Sequence, residues 1–71
     1  MQWKCTIKKD VYRDYSYWFR AIIVSGQRKI VLEERDCESV LDAKERARLM
    51  ISAIDPGADI EWSPKTMKSI R

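Results

Sequence analysis

Polar and apolar residues alternate from Trp3 to Lys9, with Trp3, Cys5 and Ile7 on one side and Lys4, Thr6 and Lys8 on the other. That period of two predicts a half-buried strand. Asp10 to Asp14 is polar, with an Asp at each end, and reads as a connecting loop. From Tyr15 to Ser25 the chain is dense in aromatic and β-branched residues, the strongest strand signal present. Gly26 follows, where a positive φ carries no steric penalty, so a tight hairpin is expected before a returning strand over Lys29 to Arg35.

The period then changes. Ser39 stands where a helix N-cap belongs, with Asp42 three positions on, near the positive helix end. Positions 40, 43, 47, 50, 51 and 54 are apolar and form one stripe at helical spacing. Asp55-Pro56-Gly57 ends the helix, because proline cannot continue it and biases the preceding residue away from helical angles. Ile60 and Trp62 alternate with Asp59 and Glu61, predicting a short last strand that stops at Ser63-Pro64. Residues 1–64 are read as one domain, and residues 65–71 as a basic tail, disordered or a single turn. The order is strand, strand, strand, helix, strand. The simplest fold is α+β, a small antiparallel sheet with one helix packed on one face.

A lone helix covers one face and leaves the other open. Burying Arg20 beneath a helix would cost several kcal/mol unless it were paired. Tyr17, Phe19, Ala21 and Ile23 are therefore placed under the helix, with Trp3, Cys5, Ile7, Ile30, Leu32, Ile60 and Trp62. Trp18, Arg20, Ile22 and Val24 then share the open face with Lys4, Thr6, Lys8, Lys29 and Val31. One extra residue bulged into the second strand would swap the faces halfway along it.

Composition narrows the class. With 71 residues, 45% hydrophobic and 35% charged, the chain has room for one globular core. No apolar run approaches the roughly 20 residues that cross a bilayer. The first residues lack the pattern of a secretory signal, so a cytoplasmic setting, of the cell or of a host cell, is expected. Cys5 and Cys37 are the only cysteines and are expected to be reduced there. Charge is unevenly spread. Residues 1–35 hold eight Lys/Arg against four Asp/Glu, residues 36–62 three against seven, and residues 63–71 three and no acid. Such a split favours an oriented electrostatic partner.

The sequence holds no histidine, the commonest general base, and two cysteines cannot complete a structural zinc shell. The acids around Cys37 would raise its pKa and blunt it as a nucleophile. With Gly26 and Gly57 alone, the chain has no glycine-rich phosphate loop. The expectation is a non-enzymatic protein without metal or cofactor.

The layout of a three-stranded sheet followed by a helix resembles the arm-site DNA-binding domains of phage integrases. It also resembles small phage-encoded inhibitors such as anti-CRISPR proteins, which act by occupying a partner's surface. These resemblances imply a binding role at the level of fold alone. The leading expectation is an accessory protein, of a phage or other mobile element, that inhibits or modulates a nucleic-acid-handling protein by covering its surface. Direct DNA or RNA binding through a basic, Trp-bearing sheet face is the alternative. A homodimer or larger homo-oligomer built on that face is the third. The candidate binding residues are Trp18, Arg20, Ile22, Lys4, Lys8 and Lys29.

Overall fold

The computed structural model describes residues 2–70, with side chains to Ser69. Five strands and one long helix follow in the order β1 (Gln2–Val11), β2 (Tyr17–Ser25), β3 (Arg28–Val31), α1 (Val40–Ile54), β4 (Asp59–Trp62) and β5 (Met67–Ile70). A short 3-10 turn over Glu34–Asp36 precedes the helix. The expected α+β class holds, with one helix laid across one face of the sheet.

β1 is the central strand. It pairs antiparallel with β2, which pairs antiparallel with β3. Its other edge pairs parallel with β4 over Gln2–Cys5 and with β5 over Lys8–Val11, so the sheet is mixed. β4 and β5, four residues each, thus divide one edge of the ten-residue β1. The tail read as disordered or a single turn contributes β5 instead; Arg71 lies outside the described residues. Its polar residues hide a strand whose order comes from main-chain pairing to β1.

Local chemistry sets the helix ends. The Ser39 hydroxyl accepts from the Asp42 amide at 3.0 Å, closing the N-cap. At the other end the Asp55 amide donates to Ile51 C=O, and the Trp3 indole N–H donates to the Asp55 carboxylate at 3.0 Å. Gly57 follows with φ +82°, where a side chain would be strained. Gly26, at φ +61°, makes the β2–β3 turn as expected.

The core gathers Trp3, Cys5, Ile7, Phe19, Ala21, Ile23 and Cys37 from the sheet side against Ala43, Ala47 and Ile51 of the helix. Val40 and Met50 are partly buried beside them, while Ile54, in the last turn, stays 42% exposed. Ala43 and Ala47 are fully buried, and their small side chains let helix and sheet approach closely. Both thiols are buried and free.

Three boundaries differ from the sequence expectation. β1 runs through Asp10 to Val11, so the loop is Tyr12–Ser16 and β2 starts at Tyr17. Tyr17 lies beyond the reach of the helix and is half exposed rather than core. β3 ends at Val31 because the charged run from Glu33 cannot alternate with apolar positions; the Leu32 amide makes the last bond to Ala21 C=O. The chain then turns back, and Cys37 C=O accepts from the Phe19 amide at 3.0 Å. No described helix is long and apolar enough to cross a membrane.

Candidate functional site

The β1–β2 register runs unbroken from Lys4 opposite Val24 to Val11 opposite Tyr17. No bulge swaps the faces, so side chains two apart along each strand share a side. All six candidate residues, Trp18, Arg20, Ile22, Lys4, Lys8 and Lys29, fall on the face opposite the helix.

The register orders that face into rows. One row reads Lys29, Val24, Lys4 and Glu61 across β3, β2, β1 and β4. The next holds Val31, Ile22 and Thr6. Arg20, Lys8 and Met67 follow, and then Trp18, Asp10 and Ser69. Val31 is 46% exposed and Met67 55%, both large apolar groups in water. Lys4 and Lys29 are exposed, whereas Trp18, Arg20, Ile22 and Lys8 are half-buried. The centre is therefore apolar and the border cationic.

Asp10 breaks that description. It is fully buried on this otherwise open face. Its Oδ1 lies 3.4 Å from the Arg20 guanidinium, whose side chain is 19% exposed. The two are diagonal neighbours, Asp10 standing opposite Trp18 and Arg20 opposite Lys8. A carboxylate withdrawn from water needs such a partner, because an isolated buried charge costs several kcal/mol. Arg20 is thus partly a structural counter-ion, and less of its charge is available to a ligand. Placing Asp10 in a loop hides this pair; continuing the alternation of positions 4, 6 and 8 by one step would have put Asp10 on the open face.

Beyond Trp18 the β1–β2 hairpin turns through residues 12–16. Tyr12 and Ser16 close the loop through the Ser16 C=O and the Tyr12 amide at 2.9 Å. The Asp14 carboxylate accepts from the Ser16 hydroxyl at 2.6 Å and from its amide at 3.1 Å. Those bonds hold its pKa below the usual carboxylate value. Tyr15 sits at the tip with φ +67°, a conformation uncommon for a bulky residue, and is 87% exposed. Tyr12, Arg13, Asp14, Ser16, Trp18 and Arg35 line a cavity of about 420 Å³ between this hairpin and the 3-10 turn.

On the helix side of the same end, the Lys9 ammonium lies 4.1 Å from the Tyr17 ring centre. The Tyr17 and Phe19 rings meet edge to face at 5.8 Å.

The thiols are poor nucleophiles. Burial pushes Cys5 up to about 11, against the smaller opposing effect of Lys44. Burial also raises Cys37, with Asp42 adding to it; desolvation outweighs the nearby acids named from the sequence. Among the described residues, no three His, Cys, Asp or Glu side chains converge to hold a metal ion. No protein-family description, curated protein or solved structure matches the chain.

Proposed function

We propose that this is a non-enzymatic binding protein that docks a protein partner on the open face of its sheet and modulates that partner by covering its surface. One observation carries the reading: the row Val31, Ile22 and Thr6, continued by Val24, is left uncovered by the helix and bordered by Lys4, Lys8, Lys29 and Arg20. An apolar centre within a polar rim is the anatomy of a protein interface. The rim's cations favour an acidic border on the partner. The non-enzymatic part of the reading rests on the lack of histidine and on two buried thiols held in their neutral form.

Two features favour protein over nucleic acid at this face. Arg20 is engaged by Asp10, and Glu61 flanks Lys4 in the same row, so the surplus of positive charge is small. Trp18 is half-buried and offers less ring for base stacking.

The test compares the wild type with Ile22→Asp and Lys8→Glu as bait in a nuclease-treated lysate, each variant first shown to melt like the wild type. The reading predicts a partner retained after nuclease and lost with Ile22→Asp, with a smaller loss for Lys8→Glu. Loss of all capture on nuclease treatment, or equal recovery by Ile22→Asp, contradicts it.

Direct nucleic-acid binding has its own support in the hairpin cavity, where Arg13 and Arg35 adjoin the Tyr12 and Trp18 side chains. On that second reading a gel shift weakens steeply with salt, because each neutralised phosphate releases a counterion. Trp18→Ala then costs roughly 1–3 kcal/mol of binding.

A further inference from the structure

We propose that copies of this chain join head to tail through the edges of the sheet, β3 of one against β4 of the next. The contact joins the main-chain edges of the sheet; Lys29 and Val31 also lie on the open face, but the association does not rest on the function proposed above.

The sheet order is β3-β2-β1-β4, so β3 and β4 are its two outer strands at this end. Each is four residues long. The Leu32 amide bonds to β2, so by alternation the main-chain groups of Lys29 and Val31 point outward. The Ser63 amide bonds to Cys5 of β1, which leaves those of Ile60 and Trp62 pointing outward on the opposite edge. Short, charged edges ordinarily deter pairing. Here the charges differ in sign. β3 carries Arg28 and Lys29, and β4 carries Asp59 and Glu61. β3 against β3 and β4 against β4 are both opposed, and only β3 against β4 is attractive.

The two faces agree with this pairing. β3 and β4 both run in the direction of β1, so joining them adds a parallel ladder and keeps every helix on one side. Lys29 shares the open face with Asp59 and Glu61, placing opposite charges side by side. On the helix side Ile30 meets Ile60 and Trp62.

The helix flanks give a second, independent observation. Leu41 is 78% exposed and Leu49 61%, high values for leucine. Leu41 lines a groove of about 270 Å³ with Ile60 and Trp62 along the β4 edge. Leu49 lines another, of about 420 Å³, with Leu32 and Met50 beyond β3. Charged residues border both: Lys44, Glu45 and Arg48 the first, Asp36 and Arg46 the second. Joining the edges brings the two apolar grooves together and removes both leucines from water. The contact is heterologous, so it propagates into rings or open chains rather than stopping at a symmetric dimer.

Light scattering of the full chain from micromolar to millimolar concentration tests this. The wild type is expected to rise from the 8.4 kDa monomer towards multiples of it. Val31→Pro removes an outward amide and spares the bonds to β2, and should hold the chain at monomer mass. Lys29→Glu and Glu61→Lys should each weaken association at least tenfold. Mixed in equal amounts, these two variants should associate again. The reversed β3 edge of the first then meets the reversed β4 edge of the second, and their other two edges keep the wild-type match. A wild type that stays monomeric throughout overturns the proposal. So does association that survives both charge reversals, or a mixture that stays as weakly associated as its components. Should Val31→Pro fail to fold, the two charge reversals and their mixture decide alone.

Discussion

β1 contains two halves that bury different chemistry on opposite sides of the sheet. In its first half Trp3, Cys5 and Ile7 turn towards the helix and are almost entirely removed from water. In its second half the fully buried residue is Asp10, on the other face, held by Arg20. The first half follows from hydrophobic burial, which is non-directional and tolerates many apolar residues. The second depends on one charge meeting another across a strand, and the alternatives to that pairing are costly. A sheet covered by one helix along part of its length leaves its far end to polar pairing.

Ala47→Glu breaks the first half most severely. It buries an unpaired charge where helix and sheet meet, and the expected loss is about 4–5 kcal/mol, read from chemical denaturation. Asp10→Ala breaks the second half by leaving Arg20 without its counter-charge; the expected loss is roughly 3 kcal/mol by the same measurement. Asp10→Ala with Arg20→Met should recover most of it if the pair, rather than the carboxylate alone, matters.

The burial of Cys5 gives the first half a pH signature on the alkaline side. Its thiol is raised from 9.0 to about 11 in the folded chain, so the folded state holds a proton that the unfolded state releases. This contribution is fully present below pH 9 and is lost as pH rises from 9 to 11. The size is roughly 2–3 kcal/mol, and Cys5→Ala should flatten the decline in stability measured across that window. Ser39→Ala sets the lower end of the scale, removing the bond to the Asp42 amide for about 1 kcal/mol, read as a shift in the melting curve.

The same contrast explains what the sequence reveals. The alternation of Trp3, Cys5 and Ile7, the Ser39 cap and the 43–47–51 helix stripe each repeat a local rule, and the structure follows them. The grouping of Trp18, Arg20 and Ile22 with Lys4, Lys8 and Lys29 also follows from alternation, once Arg20 is kept out of the core. Asp10 does not read as buried, because an isolated Asp after a strand looks like a turn residue and its partner lies ten positions away. β5 is hidden for a similar reason: in Met67-Lys68-Ser69-Ile70 the two apolar residues stand three apart and do not alternate, and its order comes from main-chain bonds to β1. Both features become visible only when the strand register is known.

The face carrying Lys4 and Lys8, opposite the helix, is the surface proposed to meet the partner. Lysine-reactive footprinting of the chain alone and in complex with a captured partner tests it directly, because lysines mark both sides. Lys44 stands on the helix beside the Trp62 ring, and Lys9 points to the helix side over Tyr17. Lys4 and Lys8 are expected to lose most of their reactivity in the complex while Lys44 and Lys9 keep theirs. Protection of Lys44 with Lys4 and Lys8 unchanged would place the partner on the helix and contradict it.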